Sequence, residues 1–113
     1  MSAHIRLSPA SGSYLVRAGT EVIGRSDRAV HLNEGSAAAV IYVPRADVDV
    51  TRLVRTDRHT SCPWKGDASY YSVTTANGTL ENAVWSYETP KTGLEGIAGL
   101  LAFYPNKVAV TQA

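Results

Sequence analysis

Alternation of apolar and polar residues is the dominant pattern of this chain, and it predicts a mainly β protein. Short apolar runs, many of them β-branched or aromatic, are separated by turns rich in Gly, Pro, Asn and Ser. The clearest hairpin signal is Asn77-Gly78, which predicts a type I′ turn between strands at 68–75 and 79–87. A second hairpin is predicted over 14–24, so neighbouring strands should pair in antiparallel sheets.

The remaining segments add strands and very little helix. Further strands are predicted at 28–33, 38–43 and 107–111. Apolar residues at positions 94, 97, 98 and 101 have the spacing of one short amphipathic helix near residues 94–101. Pro44 favours a helical turn at 45–47. Residues 1–12 are expected to form a loosely ordered N-terminal lead-in.

Length and composition limit the possible classes of function. The 113 residues, 44% of them hydrophobic, suit a single domain over 1–113 with one modest core. A net charge of +1, without a basic stripe, gives no reason to expect a nucleic-acid partner. The longest apolar run, 37–43, is far shorter than the ~20 residues of a membrane span. A single cysteine and the absence of a signal-like start favour a cytoplasmic protein without a disulfide.

Residue types that commonly bind ligands or catalyse reactions are concentrated in segment 57–71. The pattern predicts a polar loop at 57–67 that leads into a strand. Loops on a rigid scaffold are where binding residues commonly lie. We therefore predict a pocket walled by this segment, for a small polar or aromatic ligand and without a cofactor. Its candidate residues are Cys62, Trp64, Lys65, Asp67, Tyr70, Tyr87 and Tyr104. The aromatic rings would supply flat apolar surface, while Lys65 and Asp67, on either side of Gly66, would fix the polar end of the ligand.

Two other functions remain open for the same residues. A thiol-dependent enzyme would use Cys62 as its nucleophile, with His59 as the base. The residues favour a buried packing role for Cys62, because free cysteine is among the most buried residue types. An interaction module would instead use the aromatic surface for docking, and this leaves homo-oligomers open. No metal is predicted, because His59 and Cys62 have no second ligand pair.

Several motifs together resemble a bacterial family, domain-of-unknown-function family 427. The motifs are Tyr42-Val43-Pro44-Arg45-Ala46-Asp47-Val48, Cys62-Pro63-Trp64-Lys65-Gly66, Ala68-Ser69-Tyr70-Tyr71, Asn82-Ala83-Val84-Trp85-Ser86-Tyr87 and Ala102-Phe103-Tyr104-Pro105-Asn106-Lys107-Val108. The resemblance covers residues 14–110, and Trp64 stands where the family more often has tyrosine. It implies a tent-like or barrel-like set of antiparallel sheets, related to the zinc-bearing tent of methionine sulfoxide reductase B but without its zinc cysteines. The family has no established activity, so the resemblance implies no reaction or substrate for this chain.

The family is sometimes described as a nucleotidyltransferase family, so the sequence motif of those enzymes can be looked for in this chain. Polymerase-β-type transferases use Gly-Ser followed by Asp-x-Asp, whose carboxylates hold metal ions. Gly35-Ser36 and Asp47-Val48-Asp49 match this pattern, but Pro44 interrupts the spacer where a helix is required. We therefore predict that the match is accidental, with a turn at 35–36 and two solvated carboxylates.

Overall fold

The computed structural model describes residues 4–113 and contains ten strands in three antiparallel sheets. The strands are β1 (Ile5–Pro9), β2 (Tyr14–Ala18), β3 (Glu21–Ser26), β4 (Val30–Glu34), β5 (Val40–Tyr42), β6 (Leu53–Cys62), β7 (Gly66–Thr75), β8 (Gly78–Ser86), β9 (Ala102–Phe103) and β10 (Ala109–Gln112). The sheet orders are β1-β4-β5, β10-β2-β3 and β6-β7-β8-β9. The mainly β class predicted from the alternation is confirmed.

The four-stranded sheet separates two hydrophobic cores. Alternation along β7 directs Tyr70 and Tyr71 to opposite faces, and both are buried, with 4% and 7% of their surface exposed. Tyr71 belongs to a core that includes Val16 of β2. Tyr70 belongs to a core that includes Leu32 of β4. Each face of this sheet therefore has its own chemical surroundings.

The hairpin between β7 and β8 forms where the sequence predicts it, but its turn differs in type. Thr75 pairs with Gly78, so the two loop residues are Ala76 and Asn77. Gly78 has a φ of +125°, whereas neither loop residue has a positive φ. A type I′ turn requires positive φ at both loop positions. The predicted type I′ turn at Asn77-Gly78 is therefore wrong, although the hairpin itself is confirmed.

Helical structure in the described residues is limited to three 3-10 turns. They are Arg45–Asp47, Val50–Arg52 and Glu95–Ile97. The turn after Pro44 is confirmed, but the helix predicted near residues 94–101 is only one turn long. Leu94 and Ile97 are buried as their spacing indicates, and Gly99, with φ +73°, cannot continue a right-handed helix. No helix within residues 4–113 is long and apolar enough to cross a membrane.

Two segments expected to be irregular are edge strands instead. Residues 5–9 of the expected lead-in form β1 and pair with β4, while residues 1–3 lie outside the described part of the chain. Residues 57–62 of the expected loop complete β6 and pair with β7 as far as Gly66. An edge strand borders solvent, so its polar residues obscure the alternation that identifies a strand.

Candidate functional site

Two β-bulges flank the middle of β7. In β6, residues 56–58 lie opposite the single residue Tyr70, because the register jumps between Arg55 and His59. In β8, residues 81–83 lie opposite Ser72. A bulge changes the direction of side chains and is frequent beside functional sites. The two bulges therefore indicate a candidate functional site in this part of the sheet.

A hydrogen-bonded link joins the two bulges. The Thr56 hydroxyl donates to Oδ1 of Asn82 at 2.6 Å. The backbone N–H of Asn82 donates to Oγ of Ser72 at 3.0 Å. Asn82 has a φ of +49°, a conformation that asparagine tolerates better than most residues. Its backbone and its side chain are thus both held in place at the bulge.

The bulges border a concavity of about 350 Å³. We call it the double-bulge concavity; its lining residues are Arg58, Asn82, Tyr104, Asn106 and Lys107. Neither Arg58 nor Lys107 forms an ion pair within residues 4–113. Lys107 Nζ donates to the neutral carbonyl oxygen of Glu81 at 2.6 Å, which leaves its charge uncompensated. The concavity is therefore electropositive and has the volume of a small-ligand site.

A pair of tyrosines lies beside Arg58 at this concavity. The rings of Tyr70 and Tyr104 are nearly parallel, at 13°, with centroids 6.4 Å apart. Their hydroxyl oxygens are 3.3 Å apart, and Oγ1 of Thr60 lies 3.0 Å from the Tyr70 hydroxyl. The Arg58 guanidinium lies 5.0 Å from the centroid of the Tyr70 ring, within the range of a cation–π interaction.

These surroundings move the pKa values of the two tyrosines in opposite directions. Burial raises the pKa of Tyr104, and the hydrogen bond with Tyr70 raises it further. Burial also opposes ionisation of Tyr70, but the hydrogen bonds with Thr60 and Tyr104 and the nearby positive charge of Arg58 outweigh it and lower the pKa of Tyr70. Tyr70 is therefore the more acidic member of the pair.

The residues predicted for the pocket are distributed over separate places. Tyr104 lines the double-bulge concavity, and Tyr70 lies buried beside Tyr104 without lining it. Tyr87 is buried in the core that contains Tyr70, where burial raises its pKa far above the ordinary value. Cys62 ends β6 and packs half-buried against the same core.

Lys65 and Asp67 bind different partners at the β6–β7 hairpin. Lys65 Nζ donates to Oε1 of Glu34 at 2.6 Å and is mostly covered. Asp67 is exposed and accepts from the Ser61 hydroxyl at 2.7 Å. The two charges predicted to fix one ligand are thus engaged separately.

Trp64 lies in the same hairpin turn, away from the concavity. Its ring meets the edge of His4, with centroids 5.3 Å apart, and it is partly exposed. It follows Arg58 by six residues, roughly 20 Å along an extended chain. Two other concavities lie around Pro9 and beside Trp85, and neither is lined by residues of the hairpin turn.

The strand separates the candidate nucleophile from its predicted base. His59 and Cys62 are three positions apart in a regularly paired stretch of β6, which directs them to opposite faces. His59 is exposed, whereas Cys62 is half-buried. Within residues 4–113, no three His, Cys, Asp or Glu side chains form a group that could hold a metal ion.

The carboxylates of the Asp-x-Asp pattern make local contacts. Asp47 accepts from the Ser26 hydroxyl at 2.6 Å and from Arg28 at 2.9 Å, and these partners lower its pKa. Asp49 accepts from the backbone N–H of Thr51 at 3.1 Å and caps the 3-10 turn that follows it. These contacts agree with structural roles for the two residues.

Sequence reasoning did not select four lining residues of the concavity. They are Arg58, Asn82, Asn106 and Lys107. A signal was present at Glu81 and Asn82, two consecutive polar residues between the apolar residues Leu80 and Ala83, which is a pattern a bulge can leave. Asn106 and Lys107 belong to the last of the family-like motifs, which gave no role to either residue.

Comparison with known proteins places the chain in a family but gives it no activity. No curated protein matches this sequence. The family model described as "Domain of unknown function (DUF427)", with the short name NTP_transf_9, matches residues 6–113. That span includes all the motifs on which the resemblance rests, and it is nearly the whole chain. The protein therefore belongs to the DUF427 family of domains of unknown function.

Proposed function

We propose that this protein binds a small anionic metabolite, one that carries a phosphate or carboxylate group, in the double-bulge concavity. The observation that carries the proposal is the pair of cations, Arg58 and Lys107, which line one concavity without an ion-pair partner in residues 4–113. Cations in a concave surface concentrate the local field and attract anions. Arg58 adds the planar set of donors that suits phosphate and carboxylate oxygens.

Neutral polar groups around the cations would orient the ligand. Because Oδ1 of Asn82 accepts from Thr56, the NH₂ group of Asn82 remains a donor for a ligand oxygen. Asn106 supplies a second amide, and Tyr104 supplies an aromatic ring with a hydroxyl. A few fixed polar groups beside apolar surface are the usual composition of a small-ligand site.

The backbone around the concavity supports a binding role. Asn82 keeps its left-handed conformation through contacts from Thr56 and Ser72, and such residues cluster at functional sites. Arg58 lies in a bulge of a paired strand and against the ring of Tyr70. A site on paired strands is held more accurately than one on a free loop, so little order would be lost on binding.

This proposal narrows the pocket predicted from the sequence. Of the predicted residues, Tyr104 lines the proposed site and Tyr70 supports it from the core, while Arg58 is added and the hairpin residues lie outside it. Among residues 4–113, no contact favours the thiol-dependent alternative, because His59 and Cys62 are directed to opposite faces. The rate of alkylation at Cys62 tests that alternative independently.

The experiment compares charged and neutral probes on matched variants. The probes are inorganic phosphate, citrate and AMP, with adenosine as the neutral counterpart of AMP. The test variant is Arg58→Gln/Lys107→Gln. The control, Arg25→Gln/Lys91→Gln, removes the same charge from exposed residues elsewhere. Calorimetry and thermal denaturation measure affinity and the stabilisation that ligand binding confers.

We expect at least one anionic probe to bind the wild-type protein and adenosine to bind more weakly than AMP. The test variant should lose affinity by at least about tenfold, which corresponds to about 1.4 kcal/mol, while the control stays within about twofold. Equal losses in both variants would show a general charge effect. That result, or the absence of binding by every anion at millimolar concentration, would refute the proposal.

A further inference from the structure

On the opposite face of β7, Tyr71 lies between two arginines. The guanidinium carbon of Arg45 lies 5.2 Å from the centroid of the Tyr71 ring, and that of Arg55 lies 5.7 Å from it. Both guanidinium groups also approach the Tyr71 hydroxyl, at 3.4 Å and 3.2 Å. Two like charges converge here, and the aromatic ring helps to hold them in place.

The carboxylate of Glu88 occupies the point where these groups converge. Its Oε2 accepts from the Tyr71 hydroxyl at 2.8 Å and from Arg55 at 3.1 Å, and it lies 3.6 Å from Arg45. Its Oε1 accepts from the Ser69 hydroxyl at 3.4 Å. Arg55 donates in turn to Ser69 at 2.8 Å. Two guanidinium groups and two hydroxyls from separate segments thus surround one oxyanion.

We propose that these donors form a second binding site, for a phosphate dianion, which Glu88 fills from within the chain and which an incoming phosphate group opens by displacing Glu88. We call it the Glu88 site; its donor residues are Arg45, Arg55, Ser69 and Tyr71. It lies on the face of the sheet opposite to the double-bulge concavity and shares no residue with it. Its occupation therefore does not depend on the function proposed above.

The balance of charge favours phosphate over a second carboxylate. Two arginines and one glutamate leave a surplus of one positive charge in the site. When Glu88 leaves, the surplus is two, which matches the charge of about −1.5 to −2 that a phosphomonoester carries at pH 7. Phosphate also offers three terminal oxygens, enough to accept from both guanidinium groups and both hydroxyls.

Glu88 is placed so that its side chain can leave without a change of fold. The side chains of Glu88, Arg45 and Arg55 are 37%, 38% and 50% exposed, so a solute can reach them. Glu88 follows β8 in a segment without strand structure. Its backbone is anchored nearby, since the carbonyl oxygen of Tyr87 accepts from Gly99 and the N–H of Lys91 donates to Lys65. Rotation of the Glu88 side chain alone would open the site.

The donors themselves are held rigidly. Arg55 and Tyr71 are paired directly across β6 and β7, and Ser69 lies one side-chain repeat away on the same face of β7. Burial opposes ionisation of Glu88, but the hydrogen bonds from Tyr71 and Arg55 and the charges of both arginines outweigh it and lower the pKa of Glu88. The donor set therefore favours an anion whether or not that anion belongs to the chain.

An internal ligand competes with any external one. A tethered carboxylate is present at a high effective concentration. The apparent affinity for phosphate is reduced by the fraction of molecules in which the site is open. The wild-type protein should thus bind phosphate weakly at this site, and a variant without the Glu88 charge should bind it more tightly.

The test uses inorganic phosphate and the full-length protein in an Arg58→Gln/Lys107→Gln background, where the other concavity lacks its cations. Glu88→Gln removes the internal anion, and Glu95→Gln removes the same charge from an exposed position. We expect Glu88→Gln to bind phosphate at least about tenfold more tightly than Glu95→Gln. Saturating phosphate should raise the Tm of Glu88→Gln by about 4 °C or more. Adding Arg55→Gln should abolish both effects.

A second variant keeps the experiment decisive if Glu88→Gln folds poorly. Glu88→Asp retains the charge but withdraws the carboxylate by one methylene, so its phosphate affinity should lie between those of the parent and of Glu88→Gln. The proposal is overturned if neither variant binds phosphate more tightly than the parent, or if the gain persists after Arg55→Gln.

Discussion

Tyr70 and Tyr71 are consecutive residues of one strand, yet they define two different environments. Each has arginine against its ring. The hydroxyl of Tyr70 meets neutral partners, Thr60 and Tyr104, beside an open concavity. The hydroxyl of Tyr71 donates to a carboxylate, Glu88, that fills the space between two arginines.

The difference is the basis of the two anion sites that we propose on one strand. Alternation sends Arg55 and Arg58, three positions apart, to opposite faces, and the bulge in β6 brings Arg58 opposite Tyr70. On the Tyr70 face, Arg58 and Lys107 have no ion-pair partner among residues 4–113. On the Tyr71 face, Glu88 is the anion that the chain itself supplies to Arg45 and Arg55. We therefore expect the first site to bind ligand directly and the second to require displacement.

Removal of either tyrosine ring should cause the largest loss of stability, and the loss should be similar on the two faces of the sheet. Both rings are buried in hydrophobic cores, so Tyr70→Ala and Tyr71→Ala should each lower the free energy of unfolding by about 3–5 kcal/mol. Urea denaturation measures the loss, and Val22→Ala, at an exposed strand position, serves as the control. A loss below about 1 kcal/mol for one ring alone would contradict the description of both rings as buried core residues.

Removal of the hydroxyls should separate the two faces. Tyr71→Phe loses a hydrogen bond to a carboxylate and should cost about 1–2 kcal/mol, after allowance for the partial exposure of Glu88. Tyr70→Phe loses bonds to neutral hydroxyls and should cost about 0.5–1 kcal/mol. Both values come from urea denaturation at neutral pH. If Tyr70→Phe lowered the free energy of unfolding as much as Tyr71→Phe or more, the proposed difference between the two hydroxyl environments would be contradicted.

Acid should remove the stabilisation that Glu88 gives to the Tyr71 face. The folded protein lowers the pKa of Glu88, so the folded state binds this proton less readily than the unfolded chain does. The stabilisation from Glu88 is therefore complete above the ordinary pKa of 4.5 and is lost as the pH falls through the lowered folded value. Glu88→Gln should flatten this part of the stability–pH curve, and Glu95→Gln should leave it unchanged. A Glu88→Gln curve parallel to that of the wild type would contradict the assignment.

The smallest expected effect concerns the charge beside Tyr70. Arg58 is exposed, so Arg58→Gln should change the Tm by no more than about 2 °C. It should nevertheless raise the pKa of Tyr70, because the positive charge of Arg58 near the ring favours the phenolate. Alkaline titration of tyrosine absorbance, with Tyr70→Phe to assign the residue, measures this change. An unchanged titration would show that Arg58 does not act on Tyr70.

The sequence was sufficient for the main features of the fold. Alternation and turn residues predicted the hairpins of β2–β3 and β7–β8, and the family-like motifs predicted membership of the family that the comparison shows. Short polar edge strands were not recognised at 5–9 and 57–62, because pairing with a neighbour, rather than apolar alternation, makes them strands.

The candidate site could be predicted only in part. Tyr70 and Tyr104 were selected as aromatic residues of one region, and they do lie together. Their meeting with Arg58 depends on a bulge, whose register is set by the paired strand and not by local sequence. Lys65 and Asp67 were expected to fix one ligand together. Lys65 instead forms an ion pair with Glu34, a residue distant in the chain. Long-range pairing of this kind leaves no periodic signal in the sequence.

The most direct test of anion binding at the double-bulge concavity is a residue-by-residue NMR titration of the wild-type protein with inorganic phosphate and with AMP. We expect concentration-dependent shifts of the backbone amides of Arg58, Asn82, Tyr104 and Lys107. The amides of Arg45, Arg55 and Tyr71 should change much less while Glu88 is present. Shifts confined to other surface cations such as Arg25, or none at all with either probe, would contradict the account.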